Sequence, residues 1–420
     1  MASGILALGL IYFLAHGFTA MFARTRVPDV LFLIALGLLF GPVFHLISPA
    51  DFGKIGPVMT TLALLVILFD SGTRLRLPDL AASFRDTLAL GVSSFVVTAV
   101  LAAGLAKALG WLDWLPALML GTAVAGSSAA VVVPLVYQLK VGEPASTTLI
   151  TESALTDVLC IVGLFAIMQA FGQGVVDPGR VLGALLAALL LASAIGVLGA
   201  IGWLTLLSAV RRYPNSLSTT LGFALVLYGV AEILGYSGPI AVLAFGIALA
   251  NQKELRITRL AFVHGRETDI TEHERAFHAE LVFIFKIFFF VYLGLSITFA
   301  PLLLGLAALI TLAAYLGRLL LTRALLSRIA AWPDAAVVSF MVPKGLAAAV
   351  IAGIPLAAGV PGGETIRDTV YQVVLLSILL TAALVPATER TRLRNAYQWF
   401  FRGFRPSGAA QPAEPPATLA

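Results

Sequence analysis

The feature that most constrains this chain is the repeated return of apolar runs about 20 residues long, the length a helix needs to cross the hydrocarbon core of a bilayer. In lipid no water satisfies the peptide groups, so such runs fold as helices that close their own hydrogen bonds. Thirteen can be placed, at about 3–22, 28–48, 56–72, 87–109, 114–136, 147–171, 181–209, 216–234, 238–250, 279–299, 301–325, 335–358 and 369–388. They predict an all-α polytopic membrane protein with 13 transmembrane helices. Charge agrees: 12% of the residues are charged, about half of what a soluble domain carries. The first run, from about Gly4 to Phe22, lacks a basic start and a small-residue cleavage site, so it is read as a span and not a signal peptide.

Positive charge sets the orientation. With the N-terminus outside, twenty Lys and Arg residues fall in inner connections and the C-terminal tail, among them Arg74, Arg76, Lys140, Arg211 and Arg212. Only four fall outside: Lys54, Lys107, Arg180 and Arg367. Cytoplasmic loops carry such an excess, so the expected setting is a bacterial-type inner membrane with the C-terminus cytoplasmic. The net charge of +5 comes from these connections. No basic patch on a polar domain supports a nucleic-acid partner. The longest inner connection, about 251–277, holds His264 and His273, with His278 just beyond, and reads as a solvated loop. Residues 401–420 form a short cytoplasmic tail, rich in Ala and Pro and expected to be disordered. The single cysteine, Cys160, excludes a disulfide within one chain. No nucleophile–base pair or metal-ligand cluster stands out, so neither an enzyme nor a cofactor is expected.

A charge in mid-membrane costs roughly 2.5–3.5 kcal/mol on insertion scales and marks a functional candidate. Here these are Glu152, Asp157, Lys286, Arg318 and Lys344, with Asp70 and Glu232 near span ends. Asp157 falls near the centre of the sixth span. Ser153 lies four residues before it and shares its helix face, and Thr156 adds a hydroxyl. Glu152 points about 140° away at 3.6 residues per turn, toward another partner. A hydroxyl and a carboxylate on one face make a hard-oxygen half-site that suits a partly dehydrated Na⁺ or K⁺ and equally a proton. The fifth span is weakened at Gly121 and at Ala125-Gly126-Ser127-Ser128, the twelfth at Pro343-Lys344-Gly345. Two interrupted helices in corresponding halves mark the binding site of many secondary transporters. If the topology above holds, the triplets around them run in opposite senses, as inverted repeats with two crossed discontinuous helices require.

Several stretches in order carry a resemblance: Arg26-Val27-Pro28 with Gly37-Leu38-Leu39-Phe40-Gly41-Pro42; Leu68-Phe69-Asp70-Ser71-Gly72; Glu152-Ser153 with Thr156-Asp157; Ala231-Glu232-Ile233-Leu234-Gly235; and Phe288-Phe289-Phe290-Val291-Tyr292-Leu293-Gly294. Together, along nearly the whole chain, they resemble the monovalent cation–proton antiporters, the sodium/proton exchangers. The resemblance implies a transmembrane domain over 1–400, with an ion-transport core at about 80–172 and 279–390 and dimerisation helices at about 1–50 and 181–250. It implies a homodimer in lipid, alternating access, and Asp157 as the carboxylate that takes cation or proton. Asp70, Ser153, Thr156, Ser127 and Ser128 would supply further oxygens. Glu152 would pair with Lys344, the basic residue of the twelfth helix. Three positions depart from the family pattern: Ser127-Ser128 stands where Thr-Asp is usual, Thr156 where Asn or Asp precedes the aspartate, and Lys344 where Arg is frequent. The site has thereby lost a carboxylate.

The function expected is secondary antiport of a monovalent cation, Na⁺ or K⁺, against protons, serving pH homeostasis. A bare carboxylate is disfavoured in an apolar setting, and a proton or a cation each neutralises it, so the two compete for Asp157. With Thr156 in place of a second aspartate, exchange would be one for one and electroneutral. Lys286, roughly 10 Å deep in the tenth span, complicates this, with Asp157 as its candidate partner. A cation channel, a transporter of small organic anions using Lys286 and Lys344, and a non-transporting sensor are the rival readings.

Overall fold

The structure is a computed structural model that describes residues 2–53, 55–78, 84–173, 178–213, 216–257, 270–326, 331–390 and 392–404. The described residues fold almost entirely into helices. The first half contains α1 (Ala2–Thr25), α2 (Asp29–Leu38, continued by a π-helical turn over Leu39–Val43), α3 (Ile55–Arg74), α4 (Phe84–Ala108), α5 (Trp114–Ala123), α6 (Ala129–Gln138) and α7 (Glu143–Gln173). The second half contains α8 (Pro178–Val210), α9 (Thr219–Ile233), α10 (Gly238–Ala250), α11 (Glu272–Ser296), α12 (Pro301–Leu325), α13 (Trp332–Phe340), α14 (Leu346–Ala357), α15 (Gly363–Arg390) and α16 (Arg392–Phe400). Seven of the described helices are long and apolar enough to cross a membrane, and five shorter apolar helices accompany them.

The interruptions fall where the sequence weakens the backbone. The fifth apolar run is split into α5 and α6 by Val124–Ser128, and the twelfth into α13 and α14 by Met341–Gly345. Pro343 has no N–H to donate, and Gly345 caps the start of α14.

Small residues set how closely the helices cross. Between α3 and α10 a Cβ on Gly246 would lie 2.7 Å from the Phe69 carbonyl and 3.2 Å from the Gly72 Cα. Between α2 and α11 a Cβ on Gly37 would lie 2.9 Å from the Gly294 Cα. Lipid is as apolar as a leucine side chain, so such helices associate by close backbone packing at small residues. Asn251, just past α10, is buried because it serves the backbone there. Its amide donates to the Leu75 and Ile247 carbonyls at 2.7 Å each and accepts the Leu77 N–H at 2.7 Å, which fixes the end of α10 against the exit of α3.

Two apolar clusters result. One is built from α3, α8, α9 and α10 around Phe69, Trp203 and Phe245. The other is larger and holds both broken helices with α4, α7, α12 and α15.

Two expectations are corrected. The inner connection does not run to Phe277: α11 begins at Glu272, so His273 and His278 lie on a helix. Thr271 Oγ1 accepts the Glu274 N–H at 3.2 Å and the Glu274 carboxylate accepts the Thr271 N–H at 2.8 Å, a capping box readable in Thr-x-x-Glu. Glu274 is held further by Arg211 at 2.7 Å. His264 lies outside the described residues. Near the other end, α16 is a helix of its own. Tyr397 and Phe401 are buried, and the Tyr397 hydroxyl meets that of Tyr315 on α12 at 2.5 Å. Residues 401–404 continue this docked segment, with Phe404 also buried, while 405–420 lie outside the described residues.

Candidate functional site

The two breaks touch. The Ser128 N–H, at the start of α6, donates to the Pro343 carbonyl at 2.7 Å. Gly345 is needed at this contact, because a Cβ there would collide with the Ser128 side chain. The Lys344 N–H is accepted by Ser377 Oγ on α15 at 2.9 Å. Peptide groups freed by unwinding two helices are thus satisfied by the opposite break and by a neighbouring hydroxyl, the condition for irregular backbone at membrane depth.

α7 passes beside this crossing and carries Glu152, Ser153, Thr156 and Asp157. Thr156 is buried, and its hydroxyl accepts the Ser127 N–H at 3.1 Å while donating to the Ser153 carbonyl at 3.3 Å. That side chain is a strut between α7 and the first break. Ser153 donates back to the Ile150 carbonyl at 2.8 Å, so its hydroxyl serves its own helix. Asp157 differs from both. Among the described residues it has no hydrogen bond and no ion pair. It is half-buried, and its open side faces a cleft it shares with Ser128, Leu64, Ile67, Ala129 and Leu346. The cleft offers about 10 Å³, room for roughly a single water. Ser128 Oγ is buried there without a hydrogen-bond partner. A bare carboxylate and an orphaned hydroxyl thus face one cleft, two hard oxygens without a hydrogen-bond partner among the described residues.

The approach to this cleft is open on one side. A cavity of about 240 Å³ shares Ile67, Ala129 and Ala130 with the cleft and carries Asp70, Ser71, Arg74 and Lys286 on its wall. A second, of about 460 Å³, shares Ser71, Arg74, Ala129 and Val133 with the first and extends to Arg76 and Lys140. These neighbouring cavities are staggered toward the end of the molecule where Arg74, Arg76 and Lys140 lie.

Glu152 takes a partner other than the expected Lys344. It is gripped at both carboxylate oxygens by Arg318 of α12, at 2.5 Å through Nη2 and by a second bond through Nη1, with both side chains 1% exposed. Arg318 Nε also donates to the Val338 carbonyl on α13 at 3.1 Å. A planar guanidinium matches a carboxylate with two parallel bonds, which an ammonium cannot do. Lys344 remains buried, and its ammonium has no hydrogen bond or ion pair among the described residues. Asp157, Glu152, Arg318 and Cys160 all lie within its electrostatic reach. Lys286 is likewise not paired with Asp157. It holds Asp29, at the start of α2, at 2.7 Å, and Asp29 also accepts a hydrogen bond from Thr19 at 3.3 Å. Asp70 binds Arg74 at 2.8 Å on the wall of the approach, apart from the Asp157 cleft.

Of the residues the sequence groups together, the structure gathers Asp157, Ser127, Ser128, Thr156 and Lys344 at the crossing, and it sets Asp70 and Lys286 along the approach. Two partners have no role assigned by the sequence. Arg318 is an arginine well inside an apolar run, with Arg323 only at that run's end, a usable signal. Asp29 sits at the edge of a run, where a carboxylate reads as an ordinary helix start.

The family model described as the sodium/hydrogen exchanger, transmembrane, matches residues 9–388. The chain belongs to the sodium/hydrogen exchanger family. The chain is thus a multi-pass membrane protein. It is 25% identical over 381 residues to a K(+)/H(+) antiporter NhaP2 of Shewanella sp. (strain MR-4), a match covering 88% of this chain and 63% of that relative. The K(+)/H(+) antiporter NhaP of Alkalimonas amylolytica is 23% identical over 389 residues, covering 89% and 64%. The chain thus spans under two thirds of the length of these relatives. In fold it resembles the sodium proton antiporter MjNhaP1 of Methanocaldococcus jannaschii, with a TM-score of 0.72 at 22% identity, covering 91% of this chain and 96% of that one.

Proposed function

We propose that this exchanger carries a monovalent cation, Na⁺ or K⁺, in one direction and a proton in the other, by alternating access at Asp157. One observation carries this reading. A carboxylate with no ion pair stands beside an orphaned hydroxyl where two broken helices cross, and cavities connect it to one end of the molecule. A charged carboxylate left bare at this depth is unfavourable, so it is expected to be occupied by a proton or by a cation. The relatives named as K(+)/H(+) antiporters and the sodium proton antiporter of similar fold agree with such chemistry.

The roles divide accordingly. Asp157 and Ser128 bind, Thr156 and the backbone at Ser127 hold the crossing in shape, and Glu152–Arg318 fastens α7 to α12. With Lys286 engaged by Asp29, one titrating carboxylate remains at the crossing, which favours electroneutral one-for-one exchange. The topology that fits is thirteen spans, counting each broken pair as one, with inverted repeats and the N-terminus outside a bacterial-type inner membrane. The approach then opens to the cytoplasm. The helices at about 1–50 and 181–250 would form the scaffold of a homodimer around a moving core, and pH homeostasis is the service such exchange performs.

Proteoliposomes with an internal pH dye test this. Na⁺, K⁺ and Li⁺ added in turn should each report whether they drive proton movement, and an imposed voltage should leave the rate unchanged. Flux without proton coupling would make the protein a channel, and no flux of any ion would make it a sensor.

A further inference from the structure

The approach described above serves one side only, and alternating access needs a second. We propose that the polar side chains of α15 line the route from the opposite side to the crossing, and that Arg367, Asp368 and Thr298 form the latch that closes it in this conformation. The proposal rests on the exchanger reading and on its orientation.

Glu364, Asp368 and Gln372 stand four residues apart on α15 and so share one face. At 3.6 residues per turn Thr369 points about 60° from Gln372 and Ser377 about 80° further round, so the polar positions wind around α15 as they run inward. This helix crosses the apolar interior, yet Thr369 and Gln372 are fully buried and Asp368 and Ser377 nearly so. Two of them keep an oxygen without a hydrogen-bond partner among the described residues, Thr369 Oγ1 and Gln372 Oε1. Orphaned oxygens beside a carboxylate are what a partly dehydrated cation in transit needs. The series ends at the site itself, because Ser377 Oγ accepts the Lys344 N–H within the second break at 2.9 Å.

The upper end of this face is fastened to the segment that follows α11. Thr298 Oγ1 donates to the Asp368 carboxylate at 2.9 Å, and Gln372 Nε2 donates to the Thr298 carbonyl at 2.6 Å. Arg367 folds over the other Asp368 oxygen at 2.6 Å and reaches Glu364 at 3.3 Å. The latch therefore ties α15, which packs with the broken helices, to the end of α11, which lies against α2 and α3. While it is closed, the Arg367 guanidinium occupies the carboxylate that a passing cation would meet.

Thiol accessibility tests this independently of transport. The only native cysteine, Cys160, is buried, so Gln372→Cys in an otherwise unchanged chain reports on the route. In right-side-out vesicles supplied with the transported cation, a membrane-impermeant thiol reagent should label it from outside, and adding Arg367→Gln should speed labelling on the order of fivefold, as expected for a lost, partly exposed ion pair. Arg367→Gln should also leave the protein inserted and shift flux between directions. Absence of outside labelling in both backgrounds, or labelling only in inside-out vesicles, overturns the proposal. Flux of the unsubstituted protein is read separately, so loss of antiport refutes the exchanger reading without deciding the labelling result.

Discussion

Removal of the Glu152 charge should cost this protein far more stability than removal of the Lys344 charge, although both groups are buried near the same crossing. In Glu152→Gln the guanidinium of Arg318 keeps its bond to the Val338 carbonyl but loses a two-point carboxylate partner in a site where both side chains are 1% exposed. Breaking a buried pair from one side typically costs about 3–5 kcal/mol, because the remaining charge is left uncompensated. That corresponds to about 150- to 5,000-fold in the folded fraction. Lys344→Met removes an ammonium that is 2% exposed and has no hydrogen bond or ion pair among the described residues, so stability should hold or rise. The assay is equilibrium unfolding, or melting in detergent, of the purified variants alongside Glu152→Gln combined with Arg318→Met. The double variant should recover part of the loss, since the charge left behind is gone. A Glu152→Gln change under about 1 kcal/mol, within the range of exposed pairs, or a larger loss in Lys344→Met, would refute the assignment of Arg318 as the partner.

Three further outcomes follow from the same geometry. Asp157→Asn should leave insertion and melting intact while abolishing cation-driven proton movement in the pH-dye assay; wild-type flux in it would remove the central residue. Thr156→Val keeps the shape of the side chain but strands the Ser127 N–H at 3.1 Å, and should cost about 1–3 kcal/mol in unfolding measurements. Gly246→Ala drives a methyl to within 2.7 Å of the Phe69 carbonyl, so α3 and α10 must part, at about 1–3 kcal/mol. Alanine at Gly229, where nothing lies within 4 Å, is its control and should leave melting unchanged.

Much of the architecture is legible without coordinates. Apolar runs of spanning length cannot do other than form helices in lipid, and Gly126-Ser127-Ser128 and Pro343-Lys344-Gly345 announce the two breaks because proline and glycine weaken a regular ladder. Asp157 declares itself by being a carboxylate in mid-run. The start of α11 was also written in the chain, as Thr271 and Glu274, but the charged residues after it look like a loop when hydropathy alone is weighed.

What the sequence determined by itself is everything set by local chemistry: which segments cross lipid, where they fracture, and which side chain is costly enough to need a purpose. What the tertiary structure decided is who partners whom. Glu152 chose Arg318, 166 residues away, and Lys286 chose Asp29, 257 residues away. The physical reason is that an ion pair acts over a few ångströms in space and is blind to distance along the chain. Helical period tells which way a charge points but not which helix is packed opposite, and that packing is fixed by small residues such as Gly37, Gly72, Gly246 and Gly294 meeting across the fold.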